Sequence, residues 1–541
     1  MERSKLFWHL ILLVIYITDS YAGNSSIINN NSSPEESDLL KNVITVLEQF
    51  VKDHAIKMEI IEDKLDTMYE KLLHCGAKTS LHASLKSKNS TIRTRKYATT
   101  AAETTKPTPA TMVTTSMTPS SSVSSTGSRG KEFLILFMRN YPYVSGSVTI
   151  YITTDNNTSV NISTSPNLRA KIKSATDRIM NVFSYSSITL PFNLTCEYLT
   201  IEAKAILLQT SELSTVSIFD SFYKISNDGT LIIPTEKLST TYLVSSTKPY
   251  YSGSNDYYSQ FAIAIAHEKT KVKIRFRMKS NTSISLLGGT YKDQDVFTVS
   301  LVKYETLQIR HTTDLTGTFI TSSEPIAVFS GNRCQHLKLG ACSHLVTQLP
   351  PTTEFDNKYI VPPFYGNSRT LIQVISESQS SVDVTIGNQE STWHMKEKEY
   401  RNIEVASDEI TILESDNAIL VTGFGMGSRS NDPYMTVIPG VHQYVDYYKI
   451  VVPDGYINNY ICVIIPNKFT KYLQINGSSF DYYKTVHLSS AVLDTTFSIR
   501  VLEVNNGPVV VSTTNNAKFG LIVYGHRGYD GYGFAGNYVL S

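Results

Sequence analysis

The sequence predicts an all-β body of about four tandem antiparallel β repeats over residues 131–541, preceded by an α-helical coiled coil and a disordered Ser/Thr-rich stalk. Three observations predict this organisation. The body is rich in Tyr, Val, Ile, Thr and Ser, and its short apolar runs, such as "SVTIYITT" and "KVKIRFRM", recur between turn signals. An apolar heptad pattern precedes the body. A segment rich in Thr, Ser and Pro separates the two.

Residues 1–22 are predicted to form a signal peptide. Arg3 and Lys5 precede an apolar run over 6–17, which is too short and wrongly flanked for a membrane-spanning helix. The run ends near "SYA", whose small residues suit a cleavage site. No later segment is apolar enough to cross a bilayer, so we expect a secreted, extracellular protein without a membrane span.

Sequons of the type N-x-[ST] agree with export. They begin at Asn24, Asn30, Asn31, Asn89, Asn156, Asn157, Asn161, Asn193, Asn281 and Asn476. A chain this rich in Ser, Thr and Asn also produces such sequons by chance. The net charge of +1 implies no polyelectrolyte partner, and we expect no binding of nucleic acid.

Residues 36–75 are predicted to form a coiled coil. Apolar residues fill consecutive a and d positions from Leu40 onwards, with His54 as the single polar residue among them. An amphipathic helix that packs on its own domain is the alternative, but the linker that follows offers no core to pack on. We therefore expect a homo-oligomer.

Cys75 occupies a d position at the C-terminal end of this heptad pattern. A parallel partner helix brings its own Cys75 within reach, and an odd cysteine in a secreted protein often pairs between chains. This predicts an interchain disulfide. Pairing of Cys75 with one of the distant cysteines is the alternative.

Residues 78–130 are predicted to form a linker. Its first part is basic, which suits a binding patch for acidic glycans, a dibasic cleavage site at Arg95 and Lys96, or a solvated charge cluster. Its second part is rich in Thr, Ser and Pro and cannot build a core, so it is typical of an extended O-glycosylated stalk.

Recurring elements divide the body into units over about 131–240, 241–357, 358–446 and 447–541. Three joints between units are similar: "IIPTEKLSTTYLV", "LPPTTEFDNKYIV" and "VIPGVHQYVDYYKIV". Each unit offers more strands than the four of a usual propeller blade. Tandem sandwich-like modules are therefore the first prediction, and a four-bladed propeller is the alternative.

The stretch "CQHLKLGACSHLVTQLPP" contains two C-x-H steps and is the strongest candidate for site chemistry. Its ligand types suit zinc, but the spacing fits the usual zinc patterns poorly. A disulfide between Cys334 and Cys342 is the simpler prediction for an exported chain. His344 is then expected to be a structural hydrogen-bond donor. By elimination alone, Cys196 and Cys462 form a second pair that links the first and fourth units.

Two glycine-rich stretches are candidates for ligand sites. "GFGMGSRSND" lacks the Lys and Ser/Thr of a phosphate-binding loop, and turn glycines explain it better. In "GHRGYDGYGFAG", Tyr529, Tyr532 and Phe534 are possible contacts for sugar rings, although such aromatics more often pack a closing turn. No hydrolase or metalloprotease motif occurs. We expect no enzymatic activity, no cofactor and no metal.

Residues 321–363 resemble the family of the N-terminal domain of IgGFc-binding protein. The matching residues are Ser330, Gly331, Cys334, Cys342, His344, Leu345, Gln348, Pro350 and Pro351. Ser343 and Thr347 stand where the family typically has acidic residues. The resemblance covers most of 131–541 and implies a secreted, non-enzymatic binding domain associated with mucus or immunity.

Together these features predict a secreted oligomeric glycoprotein that binds glycans or glycoproteins in mucus or innate immune recognition. The coiled coil supplies multivalency, which raises avidity without new contacts. The alternative is a structural component of mucus or extracellular matrix that binds itself or mucins. A secreted hydrolase is a third reading.

Overall fold

The structure is a computed structural model that describes residues 127–140, 146–222, 226–250, 257–337 and 342–541. This part of the chain is built almost entirely from antiparallel strands, which confirms the all-β prediction. None of its helices has the length and apolar character needed to cross a membrane. The predicted signal peptide, the coiled coil, Cys75, residues 78–126 of the linker and the first four sequons lie outside the described residues.

The first sheet has the strand order β4-β3-β7-β2-β5, and β1 and β8 also pair with the long strand β7. A short helix, α1 (Ala170–Thr176), and a 3-10 turn at Phe192–Leu194 connect its strands. The strands in this part of the chain are β1 (Gly130–Ile135), β2 (Ser147–Thr154), β3 (Thr158–Thr164), β4 (Arg178–Val182), β5 (Tyr185–Leu190), β6 (Ile201–Glu202), β7 (Ile206–Phe222) and β8 (Ser226–Ile232).

The second sheet has the order β14-β11-β16-β10-β15-β6, with β9 and β17 also paired with β16, and β12 and β13 form a separate hairpin. A 3-10 turn at Thr235–Lys237 precedes it. Its strands are β9 (Ser239–Leu243), β10 (Ser259–Ile265), β11 (Thr270–Arg275), β12 (Ser283–Leu286), β13 (Gly289–Lys292), β14 (Val296–Leu301), β15 (Thr306–His311), β16 (Phe319–Gln335) and β17 (Ser343–Gln348).

The third sheet has the order β21-β20-β23-β19-β22, with β18 and β24 also paired with β23. A 3-10 turn at Thr352–Glu354 precedes it. Its strands are β18 (Asp356–Val361), β19 (Arg369–Ser376), β20 (Ser380–Ile386), β21 (Gln389–Met395), β22 (Tyr400–Ala406), β23 (Thr411–Gly425) and β24 (Tyr434–Val437).

The last part of the body forms two sheets, with the orders β25-β31-β27-β28 and β29-β30-β26-β32-β33. Further 3-10 turns lie at Val441–Gln443, Asn467–Tyr472 and Phe480–Tyr482. The strands are β25 (Tyr447–Val452), β26 (Asn458–Pro466), β27 (Leu473–Ile475), β28 (Ser478–Ser479), β29 (Thr485–Val492), β30 (Thr496–Glu503), β31 (Gly507–Thr513), β32 (Gly520–Arg527) and β33 (Asp530–Ala535).

The long strands curl each sheet around a hydrophobic core. The first part of β16 pairs with β9 and β11, and its second part pairs with β10 and β17. Between these parts lies "SSEP", a polar stretch where the ladder to β9 shifts register. A strand that changes partners in this way carries its apolar side chains from one layer to a facing layer. β7 and β23 also change partners along their length. In the last part of the body two separate strands replace the long strand: β31 pairs with β25, and β32 pairs with β26.

A buried tyrosine hydroxyl bridges two backbone groups near the start of β9, of β18 and of β25. The hydroxyl of Tyr242 accepts a hydrogen bond from the Ser239 N–H at 3.0 Å and donates to the Ile326 carbonyl at 2.6 Å. Tyr359 makes the same two bonds, from the Asp356 N–H and to the Ile419 carbonyl. Tyr448 repeats them with Val445 and Phe519. These are the tyrosines of the three similar joints in the sequence.

Four inner strands, β8, β17, β24 and β33, surround the centre of the body. β8 contacts β17 and β33, and β24 contacts the same two strands, so the four close into a ring. Each inner strand is also the hairpin partner of the long strand before it. The ring therefore holds together sheets that are far apart in the sequence.

The two ends of the body meet through hydrogen bonds and packing. The Ser128 hydroxyl donates to Asn537 Oδ1 at 2.7 Å. Tyr538 and Leu540 are buried in the core of the first sheet. These contacts, together with the packing of β33 on β8, link the last part of the body to the first. Among the cysteines that the structure describes, none forms a disulfide across this closure.

Candidate binding face

Connections between strands converge at one end of the inner ring, which we call the loop face. In the first sheet, β2 and the inner strand β8 both begin opposite the end of the long strand β7. Ser147 of β2 pairs with Ser221, and Ser226 of β8 pairs with Phe222. The other sheets repeat this register. The described residues of the loop face are 136–140, 146, 244–250, 257–258, 336–337, 342, 362–368, 426–433, 453–457 and 528–529.

The loop face is rich in tyrosine, serine, glycine and asparagine. Its described tyrosines are Tyr250, Tyr257, Tyr258, Tyr365, Tyr456 and Tyr529. Three of them are substantially exposed: Tyr250 at 40%, Tyr365 at 39% and Tyr529 at 61%. The face therefore presents large amphipathic rings among small polar residues.

Hydrogen bonds between connections hold the loop face in place. The Tyr529 N–H donates to the Ser430 carbonyl at 2.8 Å. The neighbouring Asn431 side chain donates to the Gly366 carbonyl at 3.1 Å, next to Tyr365. Tyr529 and Tyr365 thus lie on connections that are joined through a third.

Asp228 lies at the centre of the inner ring and is fully buried. Its Oδ1 accepts the N–H groups of Gly229 and Gly533 at 2.9 and 3.2 Å, and its Oδ2 accepts those of Val346 and Met435, each at 3.1 Å. One carboxyl group therefore contacts all four inner strands. Burial raises the pKa of Asp228 well above its usual value, and the four N–H donors oppose part of that rise.

His344 and Asp220 form a second buried pair beside the ring. His344 Nε2 lies 3.6 Å from Asp220 Oδ2. Burial lowers the pKa of His344 to about 4 and raises the pKa of Asp220 to about 8, so both side chains are neutral near pH 7. Backbone hydrogen bonds of the ring with Arg333 and Asn332 oppose part of the lowering of the His344 pKa. A structural hydrogen-bonding role for His344 stays a prediction.

The predicted disulfide between Cys334 and Cys342 is present, with a Cα–Cα distance of 5.1 Å. It joins the end of β16 to the start of β17 and thus closes one hairpin of the loop face. Leu337 within this hairpin packs with Leu371, Phe424 and Met426 of the third sheet. The described residues contain no group of three His, Cys, Asp or Glu side chains arranged to hold a metal ion.

Replacing both Cys334 and Cys342 with serine is expected to lower the free energy of unfolding by about 2–3 kcal/mol, because the short loop is no longer closed in the unfolded chain. Chemical denaturation of the native and variant chains measures this difference. Unfolding of the native chain in the presence of a reductant separates loss of the disulfide from any effect of the serine side chains. A double variant as stable as the native chain would contradict the prediction.

The predicted pairing of Cys196 with Cys462 is wrong. Both residues are buried free thiols. Cys196 belongs to the core of the first sheet, whereas Cys462 belongs to a core shared by the third sheet and the last part of the body. Burial raises the pKa of Cys196 to about 12, and it also raises the pKa of Cys462. Elimination failed here because a buried thiol is a stable packing residue without any partner.

The aromatic residues predicted as ligand contacts separate into two groups. Tyr532 and Phe534 are 0% and 2% exposed and pack with Phe219 in the core, so this prediction is wrong for them. Tyr529 lies in the hairpin turn before them and is exposed. Successive side chains of a strand point to opposite sides of the sheet. Both sides of β33 are buried, so every residue of this strand is buried, whereas Tyr529 lies outside it.

Sequons within the described residues differ in exposure. Asn156, Asn157, Asn193, Asn281 and Asn476 are exposed. Asn161 is partly buried on β3, and its amide donates to Gln209 Oε1 at 3.3 Å. Glycosylation at the exposed positions remains a prediction.

Asp228 and the tyrosines of the loop face other than Tyr529 were not identified from the sequence. Asp228 is one of many scattered aspartates, and its neighbours in the sequence do not reveal partners more than a hundred residues away. The "NDG" of 227–229 resembles an ordinary turn signal. Tyrosine enrichment in the connections was a usable signal, because six of them occur within the described connections.

Comparisons with known proteins point to one family. The sequence model of the family described as "IgGFc binding protein" matches residues 228–525, more than half of the chain. A human protein named "IgGFc-binding protein" is 27% identical over 359 residues. That alignment covers 63% of this chain and 6% of the human protein, so this chain spans a small part of that relative.

Similarity to solved structures is weak. A major pilin of Streptococcus pyogenes is 8% identical, with a TM-score of 0.10, over 57% of this chain and 98% of the pilin. An adhesin with which an Antarctic bacterium binds ice is also 8% identical, with a TM-score of 0.10, over 77% of this chain and 100% of the adhesin chain. TM-scores this low carry no structural argument.

Proposed function

Because this chain belongs to the IgGFc-binding protein family, we propose that it is a binding protein whose loop face binds a glycoprotein. The composition of the loop face is the observation that carries this proposal. Tyrosine supplies large contact area at a low cost in conformational entropy, and Ser, Gly and Asn supply adaptable hydrogen bonds, as in antibody binding loops. Loops on a rigid scaffold are also where binding residues concentrate.

The scaffold beneath the loop face supports the same proposal. The disulfide closes one hairpin, and Asp228 joins the four inner strands through hydrogen bonds. A preorganised surface binds more tightly because fewer side chains and loops are ordered on association. We therefore infer that the connections carrying Tyr365 and Tyr529 need little reordering when a partner binds.

We propose that the four predicted units, over about 131–240, 241–357, 358–446 and 447–541, are copies of one sandwich-like module around the inner ring. The shared order of the first three sheets and the three equivalent tyrosines support this. An internal repeat places equivalent connections on the same face, which explains how the loop face is assembled.

The wider role proposed for the chain is that of a secreted, glycosylated homo-oligomer in mucus or innate immune recognition. The signal-peptide pattern, the heptad pattern and the family support this role. The name of the human relative says that it binds the Fc region of immunoglobulin G. Fc is therefore the first glycoprotein to test, and mucin is the second.

Replacing Tyr529 or Tyr365 with alanine is expected to weaken binding of the full chain to immobilised Fc or mucin by tenfold or more. Exposed aromatic anchors that become buried on association carry much of the binding energy of an interface. Surface plasmon resonance measures the change. Tyr482 is 84% exposed on the 3-10 turn at Phe480–Tyr482 and is not one of the loop-face residues, so Tyr482→Ala controls for the loss of an exposed ring.

Three outcomes separate the functional classes. Equal loss in Tyr482→Ala and Tyr529→Ala would contradict a role for the loop face. Binding to mucin or to a second copy of this chain, without binding to Fc, would favour the structural role in mucus or matrix. Failure to bind either glycoprotein would contradict the proposal for these ligands.

A further inference from the structure

A cluster of arginine and tyrosine side chains lies between the first and second sheets, beside the loop face. Arg139 and Tyr258 belong to the loop face, Tyr198 precedes β6, Arg310 lies on β15 and Arg333 lies near the end of β16. The rings of Tyr198 and Tyr258 meet edge to face, with their centroids 5.7 Å apart. Three guanidinium groups surround these two rings.

Arg310 occupies the centre of this cluster. Its guanidinium carbon lies 4.7 Å from the centroid of the Tyr198 ring and 4.1 Å from that of Tyr258. Cation–π contacts of this kind hold the guanidinium by its flat faces. The N–H groups at the edge of the guanidinium are the part that binds carboxylates and other oxyanions.

No acceptor for the Arg310 guanidinium is found among the described residues: it makes neither an ion pair nor a hydrogen bond with any of them. Arg139, in contrast, forms an ion pair with Glu197. Arg310 is only partly buried, so part of this residue remains in contact with solvent. Two aromatic rings, which we call the clamp, thus hold a cation whose N–H groups have no acceptor among the described residues.

Buried amides hold the clamp in position. The Tyr198 hydroxyl donates to Gln260 Oε1 at 2.8 Å, and Gln308 donates to the same oxygen at 2.9 Å. Gln308 Oε1 in turn accepts the Arg139 N–H at 3.0 Å. Such a supported arrangement is typical of a preorganised site, because the ring that flanks Arg310 is oriented before any ligand arrives.

Further aromatic residues of the loop face lie next to Tyr258 in the sequence. Tyr257 directly precedes Tyr258, and its ring centroid lies 5.7 Å from that of the exposed Tyr250. Tyr250 also packs against His336 at 4.5 Å. An acidic sugar presents both an oxyanion and an apolar C–H face, which suit a guanidinium group and aromatic rings respectively.

We propose that Arg310, clamped by Tyr198 and Tyr258, binds the oxyanion of an acidic glycan, either a carboxylate or a sulfate, on the glycoprotein ligand. This inference rests on the proposed function, and it names the chemical group that the loop face recognises. A guanidinium can donate two parallel hydrogen bonds to two oxygens of one carboxylate or sulfate group, and this bidentate geometry supplies the specificity. Tyr250 and Tyr257 supply the adjacent surface for the sugar ring.

The test measures binding of the full chain to 3′-sialyllactose, 3′-sulfolactose and lactose by isothermal titration calorimetry. We expect at least one acidic sugar to bind at least tenfold more tightly than lactose. Preference for the sialylated sugar identifies a carboxylate as the natural group, and preference for the sulfated sugar identifies a sulfate. Arg310→Gln is expected to abolish the preference, and Arg310→Lys to retain part of it.

Arg275→Gln is the matched control, because Arg275 is exposed on β11 outside the loop face. The comparison of sugars on the native chain needs no variant, so it remains decisive if Arg310→Gln does not fold. Equal affinity for all three sugars, an unchanged preference in Arg310→Gln, or binding of acidic peptides alone would overturn the inference. Loss of Fc and mucin binding with a retained, Arg310-dependent sugar preference would overturn the proposed function and leave this site standing.

Discussion

Replacing Asp228 with asparagine is expected to lower the free energy of unfolding by roughly 3–5 kcal/mol. The carboxyl oxygens accept four backbone N–H groups, one from each inner strand. In asparagine, one of the two acceptor atoms becomes an NH₂ donor that faces two N–H donors. Those groups are buried, so water cannot replace the lost acceptor.

Asp228→Ala is expected to be more severe, since it leaves all four N–H groups without an acceptor. With roughly 1–3 kcal/mol for each such group, the loss approaches the whole stability of a typical domain. We therefore expect Asp228→Ala to accumulate as unfolded or aggregated protein.

Urea denaturation and gel filtration of the full chain measure these effects. Asp408 is exposed on the third sheet's connection after β22, and Asp408→Asn is the matched control, with an expected change within about 0.5 kcal/mol. A loss below about 1 kcal/mol for Asp228→Asn would show that the carboxyl group does not hold the ring together.

Replacing Tyr359 with phenylalanine is expected to cost about 2–4 kcal/mol in the free energy of unfolding. The aromatic ring and its packing are kept, because Tyr359 is buried and only its hydroxyl is removed. The Asp356 N–H then loses its acceptor and the Ile419 carbonyl loses a donor. Both groups lie at the entry to the third sheet, where β18 begins to pair with β23.

Equivalent substitutions at Tyr242 and Tyr448 test whether the three sites act alike. Each hydroxyl bridges an N–H three residues earlier and a distant carbonyl. That carbonyl belongs to Ile326 of β16 for Tyr242, and to Phe519, directly before β32, for Tyr448. We expect similar losses at all three positions, measured by thermal and urea unfolding. Tyr482→Phe, at an exposed tyrosine, controls for removal of a hydroxyl. A neutral result at all three buried sites would contradict the role of the hydroxyl.

The sequence allowed the three joints to be recognised as similar, but it did not show why. The shared residues are a proline, a short polar turn and a tyrosine. The structure assigns each its part: the proline precedes a 3-10 turn, and the tyrosine hydroxyl closes the corner. Repeats are visible in a sequence because the same local geometry needs the same residues each time.

The disulfide was predictable because its two cysteines lie eight residues apart around one turn. Hairpin geometry alone brings such residues together. The pairing of Cys196 with Cys462 failed because it required knowledge of which cores contain the two thiols. Tyr532 and Phe534 were predicted as ligand contacts for a related reason. A strand at the centre of a body is buried on both sides, and the sequence of glycines and aromatic residues in β33 does not reveal that burial.

The sequence by itself determined the all-β class, the Cys334–Cys342 hairpin and the similarity of the joints. Each depends on residues close together in the chain, and side-chain periodicity and turn chemistry report on such residues directly. Only the tertiary structure decided the closure of the inner ring, the four strands that meet at Asp228, and the clamp around Arg310. These contacts join residues from different sheets. Because packing and hydrogen bonding in the folded body select such partners, no local pattern in the sequence reveals them.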